Sequence, residues 1–325
     1  MIAYIIRRML YSIPILIGVN LVTFLLFFVV NSPKDMAMVQ LGDKYTTPEA
    51  VQQWIQTHGY DKPVFYNHDK KGVDAFTQTL FFDKSVKLFI FDFGSSDTGR
   101  DIKHDIKERM WPSFYVAVPS LLFGITTNIL IALLLTLFRN SYLETWGVSA
   151  CVVMLSISSL FYIILGQYFI GKVLQWVPVS GFETGPIAIK FIILPVLISV
   201  VAGIGSGARW YRSLLMEEVH KDYVRTAKAK GLSDIAILFK HVLQNAMIPI
   251  LTGVVVLIPG LFLGSLLLES FFGIPGLGSY MIDAIRSQDF AIVRSMVYLG
   301  SVLYIIGLVL TDISYTWVDP RVRLS

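Results

Sequence analysis

Residues 110–138 read MWPSFYVAVPSLLFGITTNILIALLLTLF, a run with no Asp, Glu, Lys or Arg. A hydrocarbon core about 30 Å thick needs roughly 20 helical residues to cross. This run is therefore long enough for one membrane helix. Five more charge-free stretches occur along the 325-residue chain, at 9–33, 145–171, 191–208, 241–268 and 295–311. Membrane barrels instead show segments of about ten residues with alternating polarity. The composition agrees with the spans. The chain is 54% hydrophobic and 15% charged, against about 25% charged for soluble domains. A soluble chain this apolar would lack polar residues to cover its surface, and disorder requires the opposite composition. The expected fold is an all-α membrane protein with six transmembrane helices.

The first span is too long for the apolar core of a cleaved signal peptide, although Arg7 and Arg8 precede it. Asn31-Ser32-Pro33 is expected to end it, because the residue before proline disfavours helical geometry. Short cytoplasmic loops are enriched in Lys and Arg. Counting alternately from the N-terminus, one side holds twelve such residues, from Arg7 and Arg8 through the 209–240 region to Arg321 and Arg323. The two short loops opposite hold four: Lys172, Lys190, Arg286 and Arg294. Both termini are thus expected in the cytoplasm. The long 31–109 loop carries eleven basic and twelve acidic residues and is expected outside, with a short helix from Pro48 to Thr57. The organisation read from this is a first helix (1–30), an external insert (31–109), and a five-helix core (110–325) with a cytoplasmic loop at 209–245.

Enzyme chemistry has little to stand on. His58, His68, His104, His220 and His241 are scattered, without the i, i+4 pairing of a zinc helix. Gly166-Gln-Tyr-Phe-Ile-Gly-Lys172 fits seven positions of a nucleotide-binding loop, but Val173 stands where Ser or Thr would bind magnesium. No cofactor is implied, and no basic stripe with interleaved aromatics points to nucleic acid. The single cysteine, Cys151, excludes an internal disulfide and reads as a packed small side chain. Gly203/Gly207 and Gly260/Gly264 read as small-xxx-small pairs for close helix packing. Pro195 and Pro259 are positioned to kink or open their spans.

The most informative loop reads Glu217-Glu-Val-His-Lys-Asp-Tyr-Val-Arg-Thr-Ala-Lys-Ala-Lys-Gly231. Glu217 and Glu218 suit a helix N-terminus, Lys228 and Lys230 its C-terminus, and Gly231 a left-handed stop. Ser233 is a candidate cap for a second helix. Ile235, Leu238, Phe239 and Val242 follow the i, i+3, i+4, i+7 spacing of one buried face.

Asp222-Tyr-Val-Arg-Thr-Ala-Lys-Ala-Lys-Gly-Leu232 resembles the signature loop of the membrane permeases of bacterial ATP-binding-cassette importers, in the dipeptide/oligopeptide/nickel branch. Arg225 stands where the general signature has Glu, and Asn245-Ala-Met-Ile-Pro249 resembles the signature's end. Further stretches that resemble the branch are Ile6-Arg7-Arg8 through Pro14 and Gly18, Asp92-Phe-Gly-Ser-Ser96 with Thr98-Gly-Arg100, Trp176-Val-Pro-Val-Ser-Gly181, Glu269-Ser-Phe-Phe-Gly-Ile-Pro-Gly-Leu-Gly278, and Asp319-Pro-Arg-Val-Arg323. The Gly-Asp-Pro usual after the first span and the proline usual near Ser158-Ser159-Leu160 are missing.

The resemblance implies a permease subunit of the bacterial inner membrane, forming half of a pathway for peptides or similar solutes. Implied partners are a second homologous permease, two cytoplasmic ATPase subunits, an extracytoplasmic solute-binding protein and membrane lipid. The short helix before Gly231 would dock on an ATPase, with Tyr223, Arg225, Ala227, Lys228, Gly231 and Leu232 as coupling residues. Ala227 and Gly231 would permit close approach. ATP hydrolysis would belong to the partners. A self-sufficient secondary carrier or channel is the alternative; it would want several intramembrane charges or an inverted repeat. Two acids are candidates for pathway or interface roles: Glu269 at the outer end of the fifth span, and Asp312 within the sixth. A structural role, capping or pairing near Asp319-Pro-Arg321, is the competing expectation for Asp312.

Overall fold

A computed structural model describes residues 2–42 and 47–318. Among these residues the structure is helical apart from loops, with one isolated antiparallel bridge between Ser95 and Asp101. Five helices are long and apolar enough to cross a membrane, or six if one sharply bent pair counts as a single span. The contacts divide the chain into two compact units, Met1–Arg109 with Tyr280–Ile306, and Met110–Ser279 with Gly307–Ser325.

In the first unit, α1 (Ile2–Leu25) widens into a π-turn over Leu26–Val30 and ends at Asn31, as expected. Ser32-Pro33 also starts the next helix, α2 (Pro33–Leu41). The Ser32 hydroxyl accepts the Asp35 N–H at 3.2 Å, while the Asp35 carboxylate accepts the Ser32 N–H at 3.1 Å. This reciprocal capping, with proline at the first helical position, satisfies donors a helix start leaves open. Helix α3 (Pro48–Thr57) has the expected bounds, with Thr47 as its cap. Two short helices follow, α4 (Asp74–Thr77) and α5 (Leu80–Lys84). Phe24 of α1 and Phe28 of the π-turn after it are buried together with Met36, Tyr60 and Leu80. The buried Asn20 amide donates to the Ser85 carbonyl at 2.9 Å and accepts the Ser85 hydroxyl at 2.5 Å. The 31–109 segment therefore shares its core with the first helix.

Helix α6 (Ile102–Leu137) begins eight residues before the charge-free run, because the amphipathic turn from Ile102 continues straight into it. The third apolar stretch is broken. Helix α7 (Tyr142–Ser156) and α8 (Ser159–Gly166, continued as a π-segment to Val173) meet at 89°. The chain turns at Ile157, which is extended, and Ser158 caps the new helix. The nucleotide-loop lookalike falls on the end of α8 and its π-segment, not on a strand-to-helix turn. Cys151 is buried beside Leu135 and Ala208, as expected.

Helix α9 (Ala188–Val219) overruns the expected 191–208. Tyr211, Leu215 and Val219, spaced four apart, are buried and carry the helix onward. The Arg212 guanidinium pairs with Glu144 of α7. Glu217 and Glu218 consequently end α9. They do not start the next helix, α10 (Asp222–Ala229), whose first-turn acid is Asp222.

The fifth span is assembled from α11 (Asp234–Ile237), a π-segment over Leu238–Val242, α12 (Leu243–Leu257) and a 3-10 turn Pro259–Phe262. Ser233 caps α11 as expected, accepting the Ala236 N–H at 3.3 Å. The apolar stripe is displaced from its expected place. Ile237, Leu238 and Val242 are buried, whereas Ile235 and Phe239 are exposed. A π-turn inserts one residue into the helical repeat, which rotates the buried face.

The span closes at Phe262, short of the expected 268. Gly264 has φ +68°, a conformation that breaks the helix. Glu269 therefore belongs to a separate helix, α13 (Leu266–Phe272), and not to the end of the fifth span. Helix α14 (Leu277–Arg286) and α15 (Phe290–Val318) complete the fold. Asp312 lies within α15; the Asp319-Pro-Arg321 pairing expected for it, and the Asp319–Arg323 tail, fall outside the described residues.

Candidate functional site

The loop that carries the signature folds as a helix with a built-in stop. Helix α10 ends at a left-handed Gly231, φ +79°. The Gly231 N–H donates to the Lys228 carbonyl at 2.9 Å, and the Leu232 N–H to the Ala227 carbonyl at 3.3 Å. These two bonds form a Schellman turn, which satisfies the last carbonyls of the helix. Tyr223 is half-buried and its hydroxyl donates to Glu218 at 2.6 Å, tying α10 to the end of α9. Burial and the Glu218 carboxylate push the Tyr223 phenol up to about 12.

The six residues singled out in this loop do not share one face. Val224 and Ala227 are buried among Leu215, Val219, Leu238 and Val242. The small size of Ala227 serves this inward packing. Arg225, Lys228, Gly231 and Leu232 are exposed, with Lys221 and Lys230 beside them. Lys228 pairs with Asp234 at 3.0 Å across the turn. A Cβ on Gly231 would meet nothing within 4 Å. One edge of α10 is thus anchored to the core while the other, mostly basic, is bare.

A second feature lies in the same unit. Three helices turn small-residue faces toward one cavity of about 850 Å³. From α6 come Ser113, Ala117, Ser120, Gly124 and Asn128, spaced by threes and fours. From α9 come Ser199, Gly203, Ser206 and Gly207, and from the fifth span and the turn after it Gly253, Gly260 and Gly264. The expected packing pairs hold in one member each: a Cβ on Gly207 would overlap the Asn128 amide of α6, and one on Gly264 would overlap Glu269. Gly203 and Gly260 have open space where a Cβ would point, because they face the cavity. Backbone-to-backbone helix packing falls on Gly205, whose added Cβ would lie 2.7 Å from the Cys151 carbonyl and 2.6 Å from the Leu155 nitrogen of α7. The Asn128 carbonyl oxygen and the Ser120 hydroxyl are buried without a hydrogen-bond partner, and both residues line the cavity. Buried polar atoms are normally paired, so these two stand ready for water or solute. The glycine spacing at Gly203/Gly207 and Gly260/Gly264 is legible in the sequence; the small-residue face of α6 and the convergence of the three are set by the tertiary structure.

Glu269 closes one end of that cavity and is 1% exposed. Its carboxylate accepts the Ser265 N–H at 3.0 Å, the Gly278 N–H at 2.7 Å and the Ser279 N–H at 3.2 Å. A Cβ on Gly264 or Gly276 would overlap it. The Ser113 hydroxyl alongside accepts the Leu277 N–H at 2.8 Å. Two stretches of the resemblance meet near this point. The Gly181 N–H donates to the Phe272 carbonyl at 2.7 Å, and the Gln167 amide bonds both Val179 and Phe271. Gly276 is thus explained by the buried carboxylate against it, and Gly278 by the Ser265 backbone 2.6 Å from where its Cβ would lie. Among the described residues no group of His, Cys, Asp and Glu is placed to hold a metal.

The sequence model of the inner-membrane component of binding-protein-dependent transport systems matches residues 128–324, and the N-terminal model of the same components matches residues 1–88. The chain belongs to this family. A putative peptide transport system permease protein of Brucella abortus is 32% identical over 99% of both chains. The dipeptide transport system permease protein DppB of Bacillus subtilis is 30% identical, over 99% of this chain and 98% of its own. The oligopeptide transport system permease protein AppB of Bacillus subtilis is 28% identical, over 99% and 100%. The chain is therefore a multi-pass permease of the bacterial inner membrane, in a family that is not itself catalytic. Permeases of this family work with an ATPase and a substrate-binding protein. A self-sufficient carrier or channel is not favoured.

Proposed function

We propose that this chain forms half of the translocation pathway of a peptide importer, beside a second, related permease and above two ATPase subunits. The peptide assignment rests on the relatives, whose names specify peptide, dipeptide and oligopeptide transport. The exposed edge of α10, with Arg225, Lys228, Gly231 and Leu232, is the coupling surface; Tyr223 and Ala227 hold the helix in place behind it. The observation that carries this reading is the two-sidedness of α10. Val224 and Ala227 lock it to the core cluster that includes α9 and the fifth span, so a displacement of the exposed edge is transmitted to membrane helices. Interiors are close-packed and transmit strain in this way.

The cavity lined by α6, α9 and the fifth span is the chain's share of the pathway. Its lining has Glu269 as the one carboxylate, already engaged by three backbone amides. What it offers a solute is mostly apolar surface, from small residues and from Val116, Leu121, Trp210 and Leu257, with a few neutral polar atoms among them. That suits cargo of varied side chains. Asp312 lies in the last turns of α15 (Phe290–Val318), toward the cytoplasmic side in this topology, and there takes a structural role. The short-loop basic bias supports cytoplasmic termini and an external 31–109 segment.

The deciding experiment is reconstitution. The chain alone in vesicles is expected neither to hydrolyse ATP nor to move peptide, and the chain with its operon partners to do both. Transport by the isolated chain would overturn the proposal. A cysteine introduced at Lys70 should be labelled from outside the cell; labelling from the cytoplasmic side alone would reverse the topology.

A further inference from the structure

The first unit holds a polar pocket that the transport reading does not use. Its volume is about 320 Å³, room for roughly ten waters. Its wall includes His58 after α3, Asp83 and Lys84 of α5, Lys87, Asp92 and Arg294 in the second turn of α15. Arg294 is 3% exposed, yet its Nε and Nη1 have no hydrogen-bond partner. Those atoms carry three N–H donors, and buried donors left idle are costly.

The nearby carboxylates do not complete the site. Asp289 accepts the Ile292 N–H at 3.1 Å and the Asp97 N–H at 2.9 Å. Asp83 is paired with Lys62 and Lys87, and Asp92 accepts the Gly94 N–H at 3.2 Å. Among the described residues, neither Arg294 nor Lys84 has a carboxylate within ion-pair reach. Lys84 donates to the His58 carbonyl at 3.2 Å and lies 4.7 Å above the Tyr60 ring. Burial first, and then the Arg294 charge, bring its ammonium down to about 8. Two cations therefore bear on each other at one pocket, with donors to spare.

We propose that this pocket binds the carboxylate of a small organic acid between Arg294 and Lys84. The volume excludes a long peptide. Asp83 and Asp92 in the wall disfavour a dianion such as phosphate, whereas a single negative charge relieves the Arg294–Lys84 repulsion. The competing arrangement is a water joining Arg294 to the Asp97 carboxylate oxygen, which also has no partner.

Lys84 supplies the readout. A carboxylate bound beside an ammonium strengthens its hold on the proton about tenfold or more. The full chain, purified with its partners, is treated with an amine-acylating reagent at pH 7 in rising sodium acetate, against sodium chloride at equal ionic strength. Modification of Lys84 is followed by peptide mass spectrometry, with exposed Lys70 as the internal control. The expected result is a saturable, about tenfold slowing at Lys84 alone. Arg294→Gln should abolish the protection, and Asp97→Asn should leave it intact. No difference between acetate and chloride in the unsubstituted protein would overturn the proposal, whether or not Arg294→Gln folds. So would protection that survives Arg294→Gln, or that is lost in Asp97→Asn, the signature of the water-bridged pair.

Discussion

The Glu269 carboxylate accepts the Gly278 N–H at 2.7 Å, and this one bond closes the ten-residue stretch Glu269–Gly278 around a buried acidic side chain. The same carboxylate holds the amides of Ser265 and Ser279. Hydrogen bonds to a charged acceptor are worth more than neutral ones, and the amides left behind by its removal would be buried and unpaired. Glu269→Ala is expected to destabilise the protein by about 3 kcal/mol or more. Membrane-fraction abundance and thermal unfolding in detergent should both fall. Glu269→Gln, which keeps the shape and one acceptor oxygen, should fall between. Full abundance of the alanine variant would show that the turn does not depend on this carboxylate.

Gly231 separates folding from coupling. Its Cβ position is empty, so a side chain meets no obstacle within the chain. What remains is the cost of the left-handed backbone, about 1–2 kcal/mol for an ordinary L-residue. Gly231→Asp is therefore expected to insert at near-normal abundance and to lose uptake, because its side chain protrudes from the proposed docking edge. Uptake and abundance measured on the same membranes decide this. Normal uptake would remove α10 from the coupling role.

The glycines of α9 should divide sharply. Gly205→Val places its side chain against the Leu155 and Cys151 backbone of α7, which cannot yield as a side chain does. A loss of several kcal/mol and failure to accumulate are expected, on the order of the larger overpacking penalties. Gly203→Ala, with nothing within 4 Å, should accumulate normally. Its effect should appear in transport, as reduced uptake of bulky peptides through a narrower cavity. Equal behaviour of the two variants would contradict the assignment of packing and lining.

Asp97 gives the first unit a pH dependence. Burial, and then the neighbouring Asp289 charge, push its carboxyl up to about 6, against attraction from His58, Lys84 and Arg294. A carboxyl with a raised folded pKa binds its proton more tightly when folded, so this contribution to stability is complete below the ordinary value of 3.8 and lost as pH rises through about 6. With solvent screening, the wild type should lose on the order of 1–2 kcal/mol from this group between pH 4 and pH 7. Asp97→Asn should abolish that part of the slope and be the more stable protein at pH 7.5. Thermal unfolding of both proteins across this range measures it. Parallel pH profiles would rule the Asp97 contribution out.

The amino-acid order alone determined the features that depend on local chemistry. Six apolar runs follow from the length a bilayer demands, and the caps at Thr47 and Ser233 and the stop at Gly231 follow from hydrogen bonds a few residues apart. Tertiary structure decided the rest, because those outcomes depend on what a residue meets across space. Helix α9 runs on through Glu218 because Leu215 and Val219 are covered by a core that includes Val224 and Leu238, which no local propensity records. The third span breaks at Ile157 without a proline. A π-turn swings Ile235 and Phe239 out of a stripe that an ideal helix would bury. Gly203 and Gly205 are alike in sequence, two positions apart on one helix; only the neighbouring backbone of α7 makes one a packing contact and leaves the other facing a cavity.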